Sequence, residues 1–139
     1  MLRLAVLAVP ALVGLALAAS PAPPVAQIVG VWRGTSTCTK AEWNAACNDE
    51  KVVYRIRAAD TTKGGVTLDA YKIVGGRETP MGAMDFRYKP DTHTWNAEFQ
   101  TRSRGRILWS YRVRGRTMTG TLVQLPSRLL ARRVAVVRE

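Results

Sequence analysis

Histidine occurs once in the 139 residues, cysteine twice, and the 10 acidic side chains are outnumbered by 21 lysines and arginines. So few histidines and cysteines exclude the usual zinc and redox centres, which need clusters or closely spaced pairs of such ligands. His93 has no Ser or Cys beside it and sits in the turn-forming stretch Lys89 to Thr94, so it reads as a solvated turn residue. Adjacent Asp49 and Glu50 point to opposite faces of a strand and cannot act as an acid/base pair by themselves. An inward carboxylate, Asp69 or Asp85, is the remaining place for a raised pKa, and only if the strand register slips by one. The chain reads as a protein without enzymatic machinery, metal or cofactor. Long apolar runs are missing too: Leu4 to Leu17 falls short of the roughly 20 residues a spanning helix needs, and Pro10 and Gly14 interrupt it.

That run has another use. Arg3, the apolar stretch and Ala16-Leu17-Ala18 follow the order of a secretory signal peptide, cut after Ala18. No cysteine follows the stretch, which argues against a lipid-anchored form. Residues 19–27, with Pro21, Pro23 and Pro24, read as an extended leader, and residues 28–139 as one domain. The expected destination is periplasmic or extracellular. In that oxidising setting the two cysteines have one possible pairing, Cys38 with Cys47. Inside the loop, Thr39-Lys40-Ala41-Glu42 has the capping-box pattern, which predicts a helical turn stapled by the disulfide.

From Ile28 onward the hydrophobic period is two, broken by Gly, Pro and Asp clusters. Eight strands are predicted: Ile28 to Ser36, Lys51 to Arg57, Val66 to Val74, Gly82 to Tyr88, Thr94 to Phe99, Arg106 to Arg114, Arg116 to Leu125, and Ala131 to Arg138. The clearest alternation puts Ile107, Trp109, Tyr111 and Val113 on one face and Arg106, Ser110, Arg112 and Arg114 on the other. Eight antiparallel strands with short connections leave exposed edges unless the sheet closes. The expected fold is therefore all-β, an eight-stranded up-and-down barrel, with an open β-sandwich as the alternative. Mid-strand Arg, Glu, Asp and Asn on the outward faces argue against a barrel set in lipid.

Gly30-Val31-Trp32 on the first strand resembles the calycins, the group that includes lipocalins, fatty-acid-binding proteins and avidins. That resemblance implies that Trp32 closes one end of the barrel against an arginine of the last strand. Arg132 and Arg133 are at hand, and Arg133 has room between Ala131 and Ala135. Thr35-Ser36-Thr37-Cys38, Ala46 to Tyr54, Lys72-Ile73-Val74-Gly75-Gly76, Met81-Gly82 and Met118 to Leu122 also look like small secreted bacterial proteins. This second resemblance implies the domain and its disulfide, and no activity.

Two binding surfaces follow. The inward aromatics Trp32, Tyr54, Phe86, Tyr88, Trp95, Phe99, Trp109 and Tyr111 either fill the barrel or line a cavity. If a cavity is there, Trp32, Tyr54, Tyr88, Trp95, Trp109 and Tyr111 would hold a small apolar or amphipathic ligand. The second surface is basic: Arg102-Ser103-Arg104-Gly105-Arg106 and Arg112-Val113-Arg114-Gly115-Arg116 repeat one pattern, placing Arg104, Arg106, Arg112, Arg114 and Arg116 outward near opposite rims. With a net charge of +11, such a face would attract an envelope polyanion such as lipopolysaccharide, an acidic glycan or nucleic acid, or a protein partner.

Overall fold

The computed structural model describes residues 23–39, 46–61 and 63–139. The expected signal peptide, the start of the leader and most of the expected helical turn in the cysteine loop lie outside those residues. A short helix, α1 (Val25–Ile28), precedes eight strands: β1 (Gly30–Cys38), β2 (Glu50–Ala58), β3 (Val66–Val74), β4 (Arg77–Lys89), β5 (Thr94–Thr101), β6 (Gly105–Arg114), β7 (Thr117–Gln124) and β8 (Leu129–Arg138). Each strand pairs antiparallel with the next and β8 pairs with β1, closing an up-and-down barrel. Closure leaves no place for the open sandwich. Cys38 and Cys47 form the expected disulfide.

Two expectations about the chain path need correction. Val25 to Gln27 were expected in an extended leader, but they begin α1, which packs onto the barrel end and buries Ile28. The fourth strand starts at Arg77 instead of Gly82. Pro80 and Gly82 look like turn residues, yet here they flank a bulge: Ala70 faces Gly82, Tyr71 faces Pro80, and Met81 is the extra residue. Proline is tolerated at that position because β4 pairs with β5 only from Arg87 to Lys89, so no neighbour on that side needs the missing N–H.

One end of the barrel is plugged. The Trp32 indole is fully enclosed, donates from Nε1 to the Ile28 carbonyl at 2.8 Å, and has the Arg138 guanidinium 4.6 Å from its ring centre. Arg138 in turn donates to the carbonyls of Val29, at 2.8 Å, and Gln27. A last-strand arginine does cover Trp32, but it is Arg138 and not Arg133. The cause is a change of phase on β8: Leu122 faces Arg132 and Val123 faces Leu130, so Ala131 is a bulged residue and its burial does not extend along the strand. Val134 and Val136 continue the inward row to Arg138, while Arg133 and Ala135 face solvent. Gly30 supplies the room, since a Cβ there would lie 3.3 Å from Arg138 Nη1 in a backbone conformation that side chains rarely adopt.

Candidate functional site

All eight inward aromatics pack in the barrel core, but they do not fill it evenly. Trp32, Trp95 and Tyr88 belong to the plugged end, where Tyr88 packs against Trp95 and its hydroxyl meets His93 Nδ1 at 3.2 Å. Toward the other end the inward positions become small, with Ser36, Ala70 and Gly82 facing a gap. A cavity of about 220 Å³ results. Its apolar wall includes Tyr54, Leu68, Met84, Phe86, Trp109 and Tyr111; Ser36, Glu50 and Arg132 give it a polar end.

Strand phase explains this composition. Glu50 continues the inward row of Val52 and Tyr54 on β2, Ser36 that of Trp32 on β1, and Arg132 that of Val134 and Val136 on β8. Arg132 is the hub of the polar end. Its Nε donates to Ser36 Oγ at 3.3 Å, both terminal nitrogens donate to the Asn48 carbonyl, and Nη2 lies 3.5 Å from Glu50 Oε2. Nη1 also lies 3.7 Å from Cys38 Sγ and 4.0 Å from Cys47 Sγ, which ties the disulfide to the cavity rim. Lys72 Nζ approaches Glu50 Oε1 from the other side at 3.9 Å. Two cations therefore flank the Glu50 carboxylate, and Asp49 accepts from the Cys38 amide at 2.8 Å beside them.

Tyr111 is the floor. Its ring stacks on Trp109 with 5.8 Å between centroids and an interplanar angle of 5°, and meets Tyr54 and Phe86 edge-on. It lies so close over Gly120 that a Cβ there would fall 2.5 Å from the ring. Burial, reinforced by Tyr54, holds the Tyr111 phenol well above the ordinary tyrosine value. Burial also raises Tyr54, opposed by a hydrogen bond from Tyr111 and by the charge of Arg132. Both phenols are thus kept in the neutral, protonated form.

Of the six aromatics expected to touch a ligand, Tyr54, Trp109 and Tyr111 line the cavity, whereas Trp32, Tyr88 and Trp95 do not. Sequence reasoning missed Glu50, which reads as a loop-end charge although it shares the parity of Val52 and Tyr54. It also missed the place of Arg132, which the Ala131 bulge conceals. Asp69 and Asp85 face outward: Asp69 lies 3.6 Å from Arg57, and Asp85 accepts from Thr67 at 2.6 Å.

The basic repeat divides in the same way. Arg106 pairs with Glu98 at 2.7 Å, Arg116 donates to the Arg138 carbonyl and Arg112 to the Thr92 carbonyl, while Arg104 lies in the turn before β6 and Arg114 at its far end. The five arginines therefore do not form one continuous stripe. The chain matches no protein-family model and no curated protein.

Proposed function

We propose that this is an exported, calycin-like binding module that takes a small amphipathic ligand, its apolar part against Met84, Phe86, Trp109 and Tyr111 and its polar head at Arg132, Ser36 and Glu50. The observation that carries this reading is the cavity of about 220 Å³ with an aromatic wall and one charged end. A few convergent polar groups in an otherwise apolar pocket are the usual composition of a small-molecule site. The volume is below the roughly 300 to 1,000 Å³ of drug-sized pockets, which favours a compact ligand. The Arg132 guanidinium, the one cation in the lining, favours an acidic head. The Cys38–Cys47 disulfide supports an oxidising compartment, periplasmic or extracellular.

A series of linear carboxylic acids from acetate to decanoate tests the reading, with Trp109 fluorescence as the signal and Trp109→Phe as its control. Affinity is expected to rise roughly fourfold per methylene and to level off once the tail fills the cavity. Absence of saturable quenching, or an affinity indifferent to chain length, would overturn it.

A further inference from the structure

Outside the barrel, β6, β7, β8 and β1 present a second concavity, a shallow groove of about 680 Å³. Its floor is two cross-strand rows. In one, Ser110 faces Thr121, Thr121 faces Arg133, and Arg133 faces Thr37. In the next, Arg112 faces Thr119, Thr119 faces Ala135, and Ala135 faces Thr35. No acidic and no aromatic residue lines the groove.

The contrast with the opposite flank gives this charge its meaning. On β1, β2 and β3, Arg33 and Arg55 both reach Glu78, Arg33 also reaches Glu139, and Arg57 reaches Asp69. Among the described residues Arg112 and Arg133 make no ion pair; Arg112 donates only to the Thr92 carbonyl. By strand geometry their Cα atoms are about 12 Å apart, two strands across and two residues along. Between them lie hydroxyls, each able both to donate and to accept.

We infer that this groove binds an acidic polysaccharide, with Arg112 and Arg133 meeting carboxylates on separate sugar units and the serine and threonine hydroxyls meeting the sugar hydroxyls between. The inference does not depend on the interior cavity. Nucleic acid is the poorer fit because single strands are held largely by stacking on aromatic side chains, and a lipid surface is poorer because Ala135 is the one outward apolar side chain in the lining, Val134 pointing into the core.

The test is titration of the full chain with an oligogalacturonate, with a single-stranded DNA of equal charge as competitor. Arg112→Gln with Arg133→Gln is expected to weaken binding at least roughly tenfold, the scale of two charge-assisted hydrogen bonds. Thr119→Val with Thr121→Val should weaken it severalfold without changing its salt dependence, because no charge is removed. Arg77→Gln with Arg87→Gln removes the same charge from β4 and should leave affinity within about twofold, since only the diffuse field changes. Three results would overturn the proposal: no saturable binding, an equal loss in the β4 pair, or DNA that competes on equal terms.

Discussion

The guanidinium of Arg138 lies over the Trp32 ring, 4.6 Å from its centre, and by the same act joins the last strand to the segment that enters the first. Three further bonds secure this junction. Arg138 donates to Val29 and Gln27, and the Glu139 amide donates to the Val31 carbonyl at 3.0 Å. Barrel closure and the end plug are thus one construction.

Trp32→Ala is expected to cost about 3 to 5 kcal/mol, the range for removing a large buried ring. Arg138→Ala should cost less, about 0.5 to 2 kcal/mol for the stacking itself, and its effect should shrink once Trp32 is gone because the two share the interaction. Arg133→Ala should stay within about 0.5 kcal/mol of wild type, as an exposed side chain that makes no ion pair among the described residues. Urea midpoints of the four variants check this set. Simple additivity of Trp32 and Arg138 would refute the shared plug.

Gly34→Ala tests the β1–β8 seam. A Cβ at Gly34 would fall 2.0 Å from the Ala135 carbonyl oxygen and 2.8 Å from the Val136 Cα, so backbone has to move. A loss of at least roughly 3 kcal/mol is expected, beyond the ordinary cost of a point substitution. A variant that melts with the wild type would mean that the two strands are not held so close.

Alkaline pH should loosen the cavity end first. Tyr111 and Tyr54 have folded values raised above the unfolded one, so their protonated forms stabilise the fold fully below about pH 10. That contribution is lost as pH rises through the higher folded values. Denaturation midpoints followed above pH 9 should fall, and Tyr111→Phe should flatten the fall. An alkaline limb as steep in Tyr111→Phe as in wild type would assign the loss to other groups.

Reducing the disulfide closes no new contact and opens one short loop, for which chain entropy gives a loss of about 2.7 kcal/mol at most. Arg132 contacts both sulfurs and the Asn48 carbonyl, so the rim should loosen as well. Cys38→Ser with Cys47→Ser is expected to lower thermal stability and to weaken the carboxylic acids of the cavity test together. A stability loss with unchanged affinity would separate the loop from the site.

Period-two alternation was enough to locate all eight strands, because half-buried strands must alternate and Ile107 to Arg114 does so almost without exception. It failed where the alternation itself breaks. Met81 and Ala131 are bulged residues, and a bulge shifts every later side chain to the opposite face without leaving a hydrophobic signature. Alternation carried through Ala131 therefore points to Arg133 and away from Arg138. The cavity was harder still, because it is defined by what Ser36, Ala70 and Gly82 leave unfilled. Emptiness depends on the diameter of the closed barrel, which no single strand encodes.

The short β4–β5 ladder sets where this molecule breathes. Only Arg87, Tyr88 and Lys89 pair across it, against at least seven register pairs on every other seam. Gly82, Ala83 and Met84 of the unpaired stretch are also the cavity wall. Local opening follows the weakest run of backbone hydrogen bonds, so the flank unzips before the rim does. For the ligand proposed above, this flank is the expected side door, and exchange is expected to be set by the opening of the barrel and not by the ligand's own diffusion.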